Sequence, residues 1–249
     1  MILLLNDDGI DAPGLRALYH ALRRRLGLPV LVVAPVSERS GQSQAITLDR
    51  PIGCSFRQSD GFCGFAIDGT PTDCAKLALD QLCARPPKLV VSGINAGPNV
   101  GRSILYSGTL GAALEAAVLG CPALAVSRQH GNTTHEDGAD FAAGWAERLL
   151  PNLSVLSGRV VNLNLPSAPA AGWRPIVTAR HGLAGFQESY RRTKAREGQR
   201  AGWKIEGTWM IPPGDISDAA LLDQGHPVVT LLQPDLNAPE RFLETLVNS

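Results

Sequence analysis

Residues 2–11 read ILLLNDDGID, an apolar run followed directly by two aspartates and a glycine. Four apolar residues bounded by turn-forming residues predict a buried central strand. Asp7 and Asp8 follow this strand at its carboxyl end, the edge at which open α/β sheets bind their ligands. Two crowded carboxylates repel each other unless a cation neutralises them, so the stretch favours a hard divalent metal ion. The alternative is a solvated turn, since Asn-Asp-Asp-Gly is also good turn chemistry.

Strands alternate with helices along the first two thirds of the chain, which predicts an α/β fold with a mainly parallel, doubly wound sheet. A single domain over residues 1–249 is expected, with a core at about 1–166 and an arm and return strand at about 167–249. Strands are predicted at 2–5, 30–34, 89–91, 123–126 and 160–165. Helices are predicted at about 15–26, from Thr70 onward, at 109–119 and at 137–150. Residues 44–67 predict small strands or a hairpin with turns at Gly53 and Asp60-Gly61, and residues 93–101 predict a glycine-rich loop.

Composition excludes several classes of protein. The net charge is zero, so the sequence lacks the excess of positive charge that is typical of proteins that bind a nucleic acid polymer or an acidic membrane surface. No apolar run approaches the length of a membrane span, and no basic segment precedes the first acids, which argues against a signal peptide. The five cysteines are odd in number and form no CxxC pair, so they predict buried thiols in a reducing cytoplasm rather than a zinc site.

Polar side chains follow the first three core strands. Asp7 and Asp8 follow the first strand, Ser40 follows the second and Asn95 follows the third. In a parallel doubly wound sheet these loops emerge at the same edge. Carboxylate, hydroxyl and amide oxygens make an all-oxygen ligand set, which suits Mg²⁺ or Mn²⁺ rather than zinc. The sequence therefore predicts one divalent cation held by these four residues.

A second pattern points to phosphate. Ser107, Gly108 and Thr109 supply backbone N–H groups and two hydroxyls at a predicted helix start, where an oxyanion can approach the glycine. The alternative is an ordinary helix cap. A valine at Gly108 is expected to block phosphate while leaving the metal bound. The chain contains no GxGxxG, no Gly-Lys pair of a P-loop and no GxSxG elbow, and its five histidines have no metal-ligand spacing.

The last third has a different character. Residues 166–215 are rich in Pro, Gly and Arg and lack helical periodicity, which predicts loops and an extended hairpin at roughly 203–211. A return strand is predicted at 228–232 and a short final helix from Asn237. An arginine cluster is predicted to be a solvated face, with contact to an anionic substrate or partner as the alternative; it consists of Arg191, Arg192, Arg196 and Arg200.

Five ordered blocks resemble the SurE (survival protein E) family of nucleotidases. The blocks are NDDGI (6–10), AP with RSG (34–35 and 39–41), GTPTDC (69–74), VSGINAGPN (91–99) and YSGT (106–109). The resemblance runs from residue 1 to NLNLP (162–166) and then thins to 209–215 and the return strand. It implies a three-layer Rossmann-like core and a C-terminal arm that forms a homodimer or homotetramer. It also implies a metal-dependent phosphatase of nucleoside 5′- and 3′-monophosphates.

The resemblance assigns the metal to the positions of Asp7, Asp8, Ser40 and Asn95, the set that the strand ends also predict. One Mn²⁺, Mg²⁺ or Co²⁺ ion per subunit is implied. Departures from the family pattern affect the rim of the metal loop and the packing of the return strand rather than the ligands; they are Val36, His226, Pro227 and Leu231.

The predicted chemistry is phosphomonoester hydrolysis by a metal-activated water, with Asn95 and residues 107–109 stabilising the phosphoryl oxygens. Whether Asp7 also acts as a general base stays open. One rival is a phosphatase with an aspartyl nucleophile, but that class separates its two aspartates by one residue, whereas Asp7 and Asp8 are adjacent. The other rival is a metal- or nucleotide-binding module without catalysis.

Overall fold

The computed structural model describes residues 1–131, 134–193 and 202–237. The strands are β1 Ile2–Leu5, β2 Val30–Pro35, β3 Gly53–Ser59, β4 Phe62–Asp68, β5 Leu89–Ala96, β6 Ala123–Arg128, β7 Val160–Leu165, β8 Val177–Thr178, β9 Gly185–Arg192, β10 Trp203–Met210 and β11 Val228–Leu232. The helices are α1 Pro13–Leu26, α2 Pro71–Leu77, α3 Gly108–Val118, α4 Glu136–Leu149 and α5 Asp218–Asp223. Shorter helical turns cover Ala78–Leu82, Gly101–Leu105, Leu150–Leu156 and Ala170–Gly172. No helix in these described ranges is long and apolar enough to cross a membrane.

Nine strands form one sheet in the order β3-β4-β2-β1-β5-β6-β7-β11-β8. The pairs from β4 through β7 are all parallel, and the antiparallel pairs are β3 with β4 and β7 with β11. Strand β1 lies between β2 and β5, so the residues that follow β1 lie between the loops that follow its two neighbours. The predicted α/β class with a mainly parallel sheet is confirmed.

Side chains of β1 alternate between the two faces of the sheet. Ile2 and Leu4 pack into the core under α1 and α4, and Leu3 and Leu5 pack into the core under α2 and α3. Because both faces are covered, all four positions are apolar rather than alternating with polar residues. This gives the three layers that the family resemblance implies.

Helix α2 begins as its sequence predicts. The hydroxyl of Thr70 accepts a hydrogen bond from the N–H of Asp73 (3.0 Å), and the Asp73 carboxylate accepts one from the N–H of Thr70 (2.9 Å). This reciprocal capping box satisfies two backbone donors that have no intrahelical partner. Pro71 occupies the first helical position, where its missing N–H costs nothing.

Two sequence predictions about local structure are wrong. The glycine-rich segment after residue 92 continues strand β5, since Asn95 and Ala96 pair with Ser127 and Arg128 after a register irregularity. Gly53 begins β3 instead of forming a turn, whereas the turn at Asp60-Gly61 is confirmed between β3 and β4. The continuation of β5 fixes Asn95 on a paired strand rather than on a free loop.

The arm is a two-stranded antiparallel sheet of β9 and β10. Its register runs from Gly185 opposite Met210 to Arg192 opposite Trp203. The predicted extent of the hairpin is therefore wrong, because residues 203–210 are only its second strand. The guanidinium of Arg191 donates to the Glu206 carboxylate (2.7 Å) on the exposed arm. Arg196, Arg200 and the predicted helix after Asn237 lie outside the described residues.

The return strand β11 is confirmed, and it lies between β7 and β8. The departures from the family pattern are compatible with this pairing: the carbonyl of Pro227 accepts a hydrogen bond from the N–H of Val177, and Leu231 pairs with Val161. The imidazole of His226 contacts the carbonyl of Pro175 at 2.7 Å. Val36 is exposed, and its N–H donates to the carbonyl of Ile67.

Candidate active site

Asp7 occupies the carboxyl end of β1 and is almost completely buried. Its carboxylate accepts a hydrogen bond from the hydroxyl of Thr109 on α3. Its backbone carbonyl accepts another from the N–H of Arg39 (2.7 Å) in the loop after β2. Asp7 is thereby tied both to the helix start and to the segment that carries Ser40.

The turn after Asp8 brings the first two loops into direct contact. The amide of Asn6 donates to the carbonyl of Gly9 (2.9 Å), which closes the turn. Gly9 has a φ of 103°, and a Cβ added to it would lie 3.1 Å from the backbone of Ser37. A glycine is required here because the loop after β2 leaves no room for a side chain.

Asp8 connects the first loop to the end of β5. One of its carboxylate oxygens accepts a hydrogen bond from the N–H of Ala96 (3.1 Å), next to Asn95. Burial raises the pKa of Asp8; the Ala96 N–H opposes that rise, and the nearby Glu38 carboxylate adds to it. Burial is also the main cause that raises the pKa of Asp7 to about 6, against the lowering effect of the Thr109 hydroxyl. Both carboxyls therefore lie where a positive charge would stabilise their ionised forms.

Asn95 and Ser40 supply the neutral oxygens of the predicted set. The amide nitrogen of Asn95 donates to the carbonyl of Gly97 (2.7 Å), so its amide oxygen is the atom that can face a cation. The hydroxyl of Ser40 donates to the Glu38 carboxylate (2.7 Å), and a lone pair on the same oxygen can serve as a ligand. The four predicted residues thus lie on the loops after β1 and β2 and at the end of β5. Backbone hydrogen bonds from Arg39 and Ala96, the neighbours of Ser40 and Asn95, join these segments to Asp7 and Asp8.

The donor chemistry of these residues fits a hard cation. No group of three or more His, Cys, Asp or Glu side chains that could hold a metal exists among the residues described. Two carboxylates with neutral oxygens match the preferences of Mg²⁺ or Mn²⁺.

Helix α3 begins directly against Asp7. Ser107 caps the helix, since its hydroxyl accepts a hydrogen bond from the N–H of Leu110 (3.1 Å). A Cβ added to Gly108 would lie 2.9 Å from the Cβ of Asp7 and 3.0 Å from its Oδ2. The predicted phosphate segment therefore includes an ordinary cap, and its Thr109 hydroxyl is already bonded to the predicted metal ligand. Gly108 itself is buried, with Asp7 and Pro71 packed against the side on which a Cβ would lie.

His130 is a site residue that sequence reasoning missed. A Cβ added to Gly97 would lie 3.1 Å from Nε2 of His130, so the imidazole packs against the backbone at Gly97, two residues after Asn95. Both His130 and His135 lower the pKa of Asp8. The only sequence signal was position, since His130 directly follows strand β6 on the same sheet edge.

A buried polar network fixes the segment between β5 and α3. The backbone of Asn99 donates to Asn164 (2.8 Å) and accepts from the side-chain amides of Asn162 (3.0 Å) and Asn164 (3.1 Å). The fully buried Asp218 accepts from the N–H groups of Gly101, at 3.1 and 3.2 Å, and of Gly182, at 3.1 Å. Sequence reasoning missed these groups, because their role depends on contacts between distant segments.

Comparison with known proteins places this arrangement in a family. The sequence profile described as Survival protein SurE matches residues 2–188. The chain is 42% identical over 243 residues to a protein from Maridesulfovibrio salexigens named 5′-nucleotidase SurE, covering 96% of this chain and 95% of that one. A protein of the same name from Solidesulfovibrio magneticus is 43% identical over 245 residues, covering 94% and 92%.

The fold comparison agrees with the sequence comparison. The crystal structure of the SurE protein from Aquifex aeolicus superposes with a TM-score of 0.81 at 30% identity, covering 99% of this chain and 98% of that chain. Both the profile and the relatives extend across the strand-end loops described above. The chain belongs to the SurE family of survival proteins.

Proposed function

We propose that this protein is a metal-dependent phosphomonoesterase that hydrolyses nucleoside 5′- and 3′-monophosphates to nucleoside and inorganic phosphate. The observation that carries the proposal is the contact between Asp7 and the start of α3. It places the buried Asp7, with the half-buried Asp8 next to it, directly beside a helix N-terminus, the kind of backbone that binds oxyanions. Relatives named 5′-nucleotidase, at more than 40% identity over nearly the whole chain, support this substrate class.

Asp7, Asp8, Ser40 and Asn95 would hold one divalent cation per subunit. When bound, Mn²⁺, Mg²⁺ or Co²⁺ supplies Lewis-acid polarisation of a phosphoryl oxygen and lowers the pKa of its bound water toward roughly 7. The buried carboxyls bind more weakly to a cation when protonated, so activity requires both to be ionised.

The remaining residues position the phosphate. The N–H of Gly108, in the first turn of α3, would stabilise the charge that develops on the phosphoryl oxygens, and the hydroxyl of Ser107 caps this turn. Thr109 acts through Asp7, because its hydroxyl is bonded to that carboxylate. Asn95 would serve both as a ligand of the cation and as a group that stabilises the phosphoryl oxygens.

The proposal extends to assembly and location. An exposed two-stranded arm is marginally stable by itself, which supports a homodimer or homotetramer formed through β9 and β10. All five cysteines are free thiols, which supports a reducing cytoplasm as the working environment.

Phosphate release from a panel of nucleoside monophosphates tests the activity. The protein is treated with EDTA, and Mn²⁺, Mg²⁺ or Co²⁺ is then added back. Release from 5′-AMP and 3′-AMP should disappear with EDTA and return with at least one cation, while a cyclic phosphodiester should stay intact. Release that is insensitive to EDTA, or absent with every cation, rejects the proposal.

The aspartyl-nucleophile alternative is tested on the same preparation. An acid quench during turnover of a labelled monophosphate should trap no hydroxylamine-labile phosphoenzyme if water attacks directly. A stoichiometric phosphoenzyme that is lost in Asp7→Asn would assign the reaction to the nucleophilic class instead.

A further inference from the structure

A cleft of about 550 Å³ begins at Asn95 and is larger than a phosphate group requires. Four separate segments form its walls. These are the end of β5 with the residues that follow it (from Asn95 to Val100), Gln129 and His130 after β6, the base of the arm, and helix α5. The cleft is therefore continuous with the candidate cation site at one wall and with the arm at another.

An aromatic pair forms the arm side of this cleft. Phe186 and Trp209 are cross-strand partners in the β9–β10 ladder, and their ring centroids lie 5.3 Å apart at an interplanar angle of 72°. Trp209 packs against the small apolar cluster that contains Val100 and Leu222. Phe186 is 53% exposed, so its ring keeps a face open while Trp209 fixes its orientation.

Polar groups surround the aromatic pair. Gln129, Asp223 and Ser103 line the same cleft, and the side-chain oxygen of Gln129 accepts a hydrogen bond from the N–H of Ser167 (3.3 Å). This arrangement, an apolar platform with a few hydrogen-bonding groups beside a charged site, is typical of sites for an aromatic heterocycle with a polar substituent.

We propose that this cleft binds the nucleoside part of the substrate, with the base stacked on Phe186 and the phosphate directed to the cation site beyond Asn95. The inference rests on the proposed function, because it gives a binding site to the nucleoside part of the substrate whose phosphate would bind at the cation site. Stacking is tolerant of base identity, since every base has a π-face. The site therefore recognises a base as such, and all common nucleoside monophosphates should use it.

Comparing a substrate that has a base with one that lacks it tests the proposal. Phe186→Ala should lower kcat/KM for AMP about tenfold and leave kcat/KM for ribose 5-phosphate unchanged. Phe186→Trp should restore the AMP value, and Phe186→Leu should not. Tyr190→Ala is the matched control, since Tyr190 lies on the same strand and face of the arm, is 66% exposed and does not line the cleft.

The outcomes separate this inference from the proposed function. If Phe186→Ala leaves the AMP to ribose 5-phosphate ratio unchanged, or loses both activities equally, the stacking assignment is overturned. If the unmodified protein hydrolyses neither ester, the proposed function fails. Calorimetric titration with adenosine then tests the nucleoside site independently of hydrolysis. Binding that weakens about tenfold in Phe186→Ala supports the site. No binding to the unmodified protein, or equal binding to both proteins, overturns it.

Discussion

The hydroxyl of Thr109, at the second residue of α3, donates a hydrogen bond to the carboxylate of Asp7 at the end of β1. The two residues are 102 positions apart in the chain. Their contact makes the predicted metal ligands and the predicted phosphate segment one connected cluster. A change at the helix start therefore acts on the carboxylate pair.

The burial of Asp7 makes the metal-free protein less stable as pH rises. Its pKa is raised from 3.8 to about 6, so its stabilising contribution is complete below 3.8 and is lost as pH rises through 6. In EDTA, Asp7→Asn should match the wild type near pH 4 and exceed its free energy of unfolding by up to about 3 kcal/mol at pH 7. Urea unfolding across this range measures the difference, and a difference independent of pH contradicts the assignment.

Asp8→Asn removes one charge from the predicted ligand set. We expect weaker Mn²⁺ binding and a loss in rate of about 10²-fold, equivalent to some 3 kcal/mol of transition-state stabilisation, in a folded protein. Calorimetric metal titration and steady-state kinetics measure the two effects. Asp11→Asn is the control, because Asp11 is exposed and paired with Arg16. Near-normal turnover of Asp8→Asn at saturating Mn²⁺ would remove Asp8 from the ligand set.

Gly108→Ala should disturb the cation site as well as phosphate binding. The added methyl group would lie 2.9 Å from the Cβ of Asp7 and 3.0 Å from Pro71, so the carboxylate must move. This contact replaces the expectation that a side chain at Gly108 leaves the metal bound. Metal affinity and kcat should both fall by at least tenfold. Gly172→Ala, where the nearest atom is 4.0 Å away, should change neither, and full metal affinity in Gly108→Ala would contradict the close approach.

The arm can be removed as a unit now that its strands are defined. Replacing residues 188–207 with an Asn-Gly turn keeps the Phe186–Trp209 pair and closes the hairpin between Gln187 and Thr208. Light scattering should show the mass falling to that of a monomer, while metal titration still reports the cation site. A shortened protein that retains the parent's oligomeric mass would exclude the arm as the assembly element.

Residues that act through local chemistry could be predicted from the sequence. The cap at Thr70 and the apolar run of β1 have signals within a few residues of themselves. The loops of Asp7, Ser40 and Asn95 could be grouped because parallel strands share a carboxyl edge. That all four residues of the set are metal ligands stays a prediction; they are Asp7, Asp8, Ser40 and Asn95.

Residues that act through long-range contacts could not be predicted. Strand β9 is exposed over nearly its whole length, so no alternation of apolar residues marks it. Asp218 appears in the sequence as one of many acids, yet it satisfies backbone donors of two distant segments. The contact of Thr109 with Asp7 likewise depends on helix packing that no local pattern encodes.

The insertion of β11 between β7 and β8 has a consequence for synthesis on the ribosome. As the chain emerges from its N-terminus, β7 presents an open edge until residues 228–232 arrive, more than sixty positions after β7 ends. An open edge can pair with other chains, so this interval is the period of greatest aggregation risk. Because α5 is synthesised after β1 and α3, the wall that α5 gives the cleft forms after Asp7 and Asp8 have been made. Translation order therefore lets the segments of the proposed cation site fold before the proposed nucleoside site is complete.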